Sequence, residues 1–147
     1  MVLKTVIKVL LIMLLPLGIY AEMMSVATRK ANVRKGPDGN NEILWEAWIY
    51  TPFKIIDKEG MWYKVTDFED DAGWVHSSAL SGAPSVIVNS EKAYIRKGPG
   101  SEYQAVWMLE RGYPLKFIKQ KGNWYHVSDG EEIDGWIHKS VVWGFVK

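Results

Sequence analysis

Three histidines, His76, His126 and His138, with scattered serines and acids, are the side chains best equipped for acid-base, nucleophilic or metal chemistry, since the chain has no cysteine. His76 follows Gly73-Trp74-Val75 and His138 follows Gly135-Trp136-Ile137, so the two hold equivalent places in separate stretches and do not converge on one metal ion. A structural or partly exposed role is expected for both. No serine lies in the strand-to-helix setting of a nucleophile elbow. The acidic groups Asp67, Glu69, Asp70, Asp71 and the run Asp129 to Asp134 lack the ordered spacing and central glycine of a calcium loop, which leaves them as solvated turns. Neither a catalytic residue, a metal nor a cofactor is expected.

Aromatic side chains remain as candidates for recognition. The chain has eight tryptophans, seven tyrosines and four phenylalanines. In a strand successive side chains face opposite ways, so Trp62 and Tyr63 cannot both enter one core without a bulge. Trp124 and Tyr125 repeat the problem, as do Trp74 beside Val75 and Trp136 beside Ile137. The outward members are expected to edge a shallow groove together with Arg34 and Arg96. The candidate groove residues are therefore Arg34, Trp62, Tyr63 and Trp74 in one stretch, and Arg96, Trp124, Tyr125 and Trp136 in the other. Flat aromatic faces of this kind stack on sugar rings or hold a proline-rich or extended peptide.

These residues are positioned by a duplication. Ala31-Asn32-Val33-Arg34-Lys35-Gly36-Pro37 recurs as Ala93-Tyr94-Ile95-Arg96-Lys97-Gly98-Pro99, an offset of 62 residues. At the same offset Trp45 meets Trp107, Pro52 meets Pro114, Gly60 meets Gly122, Trp62-Tyr63 meets Trp124-Tyr125, and Gly73-Trp74 meets Gly135-Trp136. No gap is needed between Ala31 and Ser140. Within each copy the apolar residues form short β-branched and aromatic runs broken by glycine, proline and charge. In the first copy strands are predicted near Met24 to Ala27, Ala31 to Arg34, Leu44 to Ala47, Phe53 to Asp57, Trp62 to Thr66 and Gly73 to His76. Five or so short strands hide their edges by curling into a small, partly open barrel, each with its own core of buried aromatic rings. The fold class is thus all-β, two tandem small barrels. Domains are expected at 22–81 and 85–147, with a linker at 82–84 and a C-terminal extension, Val141 to Lys147, that either packs on the second barrel or binds a partner.

The first residues read differently. Lys4 and Lys8 precede an apolar run from Val9 through Tyr20 that ends at the small Ala21, the order of a secretory signal peptide over 1–21. Cleavage there leaves 16 basic and 17 acidic side chains. That balance argues against nucleic acid as a partner, and membrane contact is expected only through an uncleaved signal. Periplasmic or secreted localisation follows, and without cysteine the exported chain is stabilised by burial alone.

The order Val-Arg-Lys-Gly-Pro, a Trp-bearing strand, Gly-x-Trp-Tyr-x-Val and Gly-Trp-Val/Ile-His-x-Ser resembles the bacterial SH3-like domain, often found in tandem in exported cell-envelope proteins. The resemblance covers Met24 to about Val142. The second copy is nearer the pattern, while Trp48-Ile49-Tyr50 in the first replaces the usual charged turn, Glu110-Arg111-Gly112 in the second. The resemblance implies five to seven strands per copy and a binding or targeting role. The expected function is a non-catalytic envelope module whose partner is a cell-wall polymer or peptide, peptidoglycan or its stem peptides. The alternative is an adaptor for a periplasmic protein. Hydrolases that carry such modules use a Cys-His pair or a zinc site, and the absence of cysteine disfavours that class.

Overall fold

The structure, a computed structural model, describes residues 22–147. The leader expected over Met1 to Ala21 lies outside them. Short apolar runs give fourteen strands and two single 3₁₀ turns, with no α-helix among the described residues. The first seven strands are β1 (Met23–Val26), β2 (Lys30–Arg34), β3 (Ile43–Trp48), β4 (Pro52–Glu59), β5 (Trp62–Thr66), β6 (Ala72–His76) and β7 (Leu80–Ser81). They form one antiparallel sheet in the order β3-β2-β6-β5-β4-β1-β7. The other seven are β8 (Ser85–Val88), β9 (Lys92–Arg96), β10 (Ala105–Glu110), β11 (Pro114–Lys121), β12 (Trp124–Ser128), β13 (Asp134–His138) and β14 (Val142–Phe145). Their order, β10-β9-β13-β12-β11-β8-β14, repeats the first. The chain is all-β, with two tandem barrels of one design.

Alternation decides what each strand buries. In β2, Ala31 and Val33 are buried while Lys30 and Asn32 are exposed, and β9 repeats this with Ala93 and Ile95. The first core is Val26, Ala31, Val33, Ala47, Phe53, Val65, Val75 and Leu80. The second is Val86, Val88, Ala93, Ile95, Leu109, Leu115, Val127, Ile133 and Ile137. The copies differ by a compensated exchange, since Ala47 with Phe53 stands where Leu109 with Leu115 stands in the second, a swap that roughly conserves volume. The expected cores of aromatic rings are found only in part: Phe53 and Phe117 are buried, and tyrosines with Trp45 pack at the core margins. None of the eight tryptophans is fully buried. The physical reason is that each Trp-Tyr pair spends its inward position on tyrosine, and the small interior is filled mostly by compact Val, Ile and Leu, with Phe53 in the first copy.

A bulge recurs at the same place in both copies. The pairing of β4 with β5 shifts between Ile55 and Asp57, and that of β11 with β12 between Phe117 and Lys119, leaving Ile56 and Ile118 exposed. Thus the irregularity needed to reconcile the apolar pattern sits on the strand opposite Trp-Tyr. The C-terminal extension packs on the second barrel: β14 pairs with β8, Val142 opposite Val88 and Phe145 opposite Ser85, and Val142 and Val146 contact the core.

The linker is held from both sides. Ser25 Oγ donates to the Ala83 carbonyl at 2.7 Å, and the Phe117 N–H donates to the Pro84 carbonyl at 3.1 Å. Strand β4 touches β8 and β14 across the boundary. Among the described residues no helix is long and apolar enough to cross a membrane.

Candidate functional site

Cross-strand register sorts the candidate residues onto two faces. Trp62 pairs with His76, Lys64 with Trp74 and Thr66 with Ala72, while Tyr63 pairs with Val75 and Val65 with Gly73. Because Val65 and Val75 are buried, their row faces the core and the Trp62, Lys64, Trp74, His76 row faces out. The second copy matches: Trp124 pairs with His138 and His126 with Trp136 on the outer face, and Tyr125 with Ile137 on the inner. Tyr63 and Tyr125 therefore do not join the groove that sequence assigned them to, because they pack on the cores beside Val75 and Ile137. Trp62, Trp74, Trp124 and Trp136 form the outer row.

Trp62 and Trp124 are each braced by a histidine. Trp62 and His76 meet edge to face at 5.1 Å and 90°, Trp124 and His138 at 5.0 Å and 86°. The histidines are held in turn by the 3₁₀ turns that follow them. His76 Nδ1 accepts from the Ser78 N–H at 3.2 Å and lies 2.7 Å from its Oγ, and His138 makes the same two contacts with Ser140. An accepting Nδ1 leaves Nε2 to carry the proton of the neutral ring. The outer row of the second copy is extended by His126, which stacks on Trp136 at 5.1 Å and places Nε2 2.7 Å from Asp134 Oδ1. Lys64 and Ala72 hold those two places in the first copy.

In the first copy this face opens into a groove of about 250 Å³ lined by Thr28, Lys30, Asn32, Arg34, Trp62 and His76 among others. Arg34 and Trp62 are thus brought together, and Trp74 lies beside Arg34 in register. Arg96 and Trp136 are likewise paired in the second. The arginines have a structural task as well. Arg34 donates to the Asn41 carbonyl at 2.8 Å and Arg96 to the equivalent Tyr103 carbonyl at 2.9 Å, which ties down the loop after Gly-Pro in both copies. Lys30 and Asn32 were missed in the sequence, although the alternation of β2 placed them on the same face as Arg34.

A larger concavity of about 470 Å³ lies between the barrels. Its first wall carries Arg29 and Trp48-Ile49-Tyr50, its second Glu110 to Pro114 with Asp129 and Glu131. Both walls are the same turn, that between β3 and β4 and its counterpart between β10 and β11. Tyr50 has φ 71° and the equivalent Gly112 has φ 90°, so tyrosine holds a left-handed conformation that glycine takes without strain. Its hydroxyl lies against Gly130 of the other barrel. Arg111 also spans the boundary, with its guanidinium 5.0 Å from the Phe68 ring and a hydrogen bond to the Asn89 carbonyl.

Electrostatics at this boundary differ between the copies. Asp129 accepts from the N–H groups of Glu131 at 2.9 Å and Ile133 at 3.0 Å and from the Tyr113 hydroxyl at 2.9 Å. Burial pushes its carboxyl up, but these donors outweigh burial and hold it below the usual carboxylate value. Burial first, then donation to Asp129, pushes the Tyr113 hydroxyl up to about 12. Asp67, the equivalent of Asp129, keeps the two N–H donors, but the position equivalent to Tyr113 is Thr51, and among the described residues no side-chain hydroxyl donates to its carboxylate. There burial prevails and its carboxyl is raised. Among the described residues no cluster of three or more histidines and acids could hold a metal ion.

The chain is 23% identical over 128 residues to the Bacillus subtilis protein YrvJ, which carries the name N-acetylmuramoyl-L-alanine amidase; the match covers 80% of this chain and 24% of that one. The chain thus spans about a quarter of that relative. Among solved structures it is similar to an NlpC/P60 family protein from Bacillus cereus, with a TM-score of 0.40 and 14% identity over 84% of this chain and 56% of that chain. It is also similar to NlpC2 from Trichomonas vaginalis, with a TM-score of 0.37 and 12% identity over 84% of this chain and 48% of that one. The profile of the bacterial SH3 domain matches residues 27–82 and again 89–144, one match on each barrel. Two such matches together span most of the sequence, and the chain belongs to the bacterial SH3 domain family.

Proposed function

We propose that this chain is a non-catalytic, exported binding module of the bacterial cell envelope that engages peptidoglycan or its stem peptides through the outer aromatic rows. The observation that carries this reading is the repeated Trp-His brace, Trp62 with His76 and Trp124 with His138, which presents a fixed aromatic edge on each of two linked barrels. A fixed ring costs little further ordering on contact, and two weak sites on one chain gain avidity on a repeating polymer. The amidase name of the Bacillus subtilis relative supports a wall-linked setting. So does the basic and apolar leader over Met1 to Ala21, which makes the chain periplasmic or secreted.

Retention on purified sacculi tests the reading. The intact chain is expected to sediment with native wall, and Trp62→Ala with Trp124→Ala to release it without loss of β-sheet circular dichroism. No sedimentation with either native or amidase-treated sacculi overturns it. The adaptor reading draws on a separate observation, the apolar edge strand β10, where Val106, Trp107 and Met108 are 39, 38 and 48% exposed. Recovery of one stoichiometric periplasmic protein, lost on Met108→Lys, with no wall retention, would favour it.

A further inference from the structure

We propose that the cleft between the barrels is a second binding site, separate from the outer aromatic rows, for a short peptide that carries both a free amino group and a free carboxylate. The cleft is built from the same turn of each copy, and those turns have equal length but opposed chemistry. The first supplies Trp48 and Tyr50, the second Glu110 and Arg111. Trp48 is 54% exposed, with the Lys30 ammonium 5.3 Å from its ring centroid, and gives the first wall a large aromatic side chain. The left-handed Tyr50, where the second copy has Gly112, is a strained choice that the fold itself does not require. Its place on the cleft wall, with the hydroxyl against Gly130 of the facing barrel, ties that strain to the cleft.

Charge defines the ligand. Among the described residues Lys30 pairs with Glu46 and His126 lies against Asp134, so Arg29 on one wall and Glu110 and Glu131 on the other are not neutralised by side-chain partners. Asp129 is occupied by its three donors and Arg111 by Asn89 and Phe68. Arg111 keeps its charge but is outnumbered by Glu110, Asp129 and Glu131, so the cleft is cationic on the first barrel and net anionic on the second. A phosphate or other polyanion meets the carboxylates of Glu110, Asp129 and Glu131, and an uncharged sugar compensates neither wall. A zwitterion compensates both, with its carboxylate on Arg29 and its ammonium on Glu131 or Glu110. The volume of 470 Å³ lies toward the lower end of the roughly 300–1,000 Å³ of small-ligand sites, which suits a few residues.

Trialanine with free termini, its N-acetyl form and its C-amide form are the probes, read by calorimetry and tryptophan fluorescence on the whole protein. Free trialanine is expected to bind, and either block to weaken it about tenfold or more, the usual scale for a lost charge-assisted contact. Arg29→Gln should erase the difference between free and amidated peptide, and Glu110→Gln with Glu131→Gln the difference between free and acetylated. All these side chains are exposed, and Trp62→Ala with Trp124→Ala should leave trialanine binding unchanged even where wall retention is lost. Competition between trialanine and sacculi distinguishes a soluble peptide from one attached to the wall. Absence of binding at millimolar peptide, equal binding of the blocked forms, or equal binding of N-acetylglucosamine sensitive to Trp48→Ala would overturn the proposal.

Discussion

Asp67 and Asp129 hold equivalent turns through the same backbone donors, yet one carboxyl is raised and the other lowered. Two changed neighbours bear on the difference: position 51 against 113, threonine in one copy and the donating tyrosine in the other, and position 71 against 133, where the charged Asp71 raises Asp67 and the uncharged Ile133 replaces it. A carboxyl lowered by folding contributes stability that is present above its unfolded value, near 3.8, and lost as pH falls through the folded value. A raised carboxyl acts in the reverse sense, favouring the folded copy as acid is added. Acidification from pH 7 to 3 should therefore loosen the second barrel ahead of the first, measured as faster amide exchange at Val127 than at Val65. Tyr113→Phe should cost the second barrel about 1 kcal/mol at pH 7 and narrow that difference. At the other extreme Tyr113 itself contributes stability that is present below pH 10 and lost as pH rises through about 12. Packing offers an independent check. A Cβ on Gly135 would lie 2.6 Å from Ile95 Cγ2 and 2.7 Å from the Arg96 carbonyl oxygen, which belongs to the backbone and cannot turn aside. Gly135→Ala should destabilise by about 1–3 kcal/mol in urea titration, while Gly82→Ala, with open space around it, should be near neutral.

Among the elements, β14 carries the clearest consequence. It covers the edge of β8, whose four residues are all buried, and brings Val142 onto the core. Removing residues 142–147 should lower the stability of the second barrel by roughly 2–4 kcal/mol through lost apolar cover and ladder bonds, seen as a thermal transition that splits in two. How far such elements could be read in advance depends on their length. Strands β2, β5 and β6 have five residues each, enough for alternation to show, and their predicted bounds differ from the observed ones by no more than one residue at either end. Strand β7, Leu80–Ser81, is too short to carry a period and was not predicted. The Trp-Tyr pairs revealed that one ring must face out. Which ring it was depended on the register with Val75 and Ile137, which alternation within one strand does not contain. The cleft was further from view, since Trp48 and Glu131 meet only through the way two finished barrels sit against each other.

At the scale of the whole molecule, the linker is hydrogen-bonded to both barrels and ties them together. Severed copies should each bind wall polymer more weakly than the intact chain by roughly 10²–10⁴-fold, if both rows engage the polymer together, as sedimentation against sacculus concentration would show. A long Gly-Ser insertion after Gly82 should spare much of that retention but abolish peptide binding between the barrels, because Ser25 and Phe117 would no longer hold the segment that sets their spacing. The gapless duplication has a kinetic counterpart. Hairpins of equal length and equal pairing order are near-fits for each other's seats, and the wrong seat is always tethered close by on the same chain. Refolding from denaturant should then divide between a rapid population and a slow one that must first undo an exchanged hairpin. In stopped-flow refolding the slow fraction should be insensitive to dilution and should vanish once the copies are cut apart.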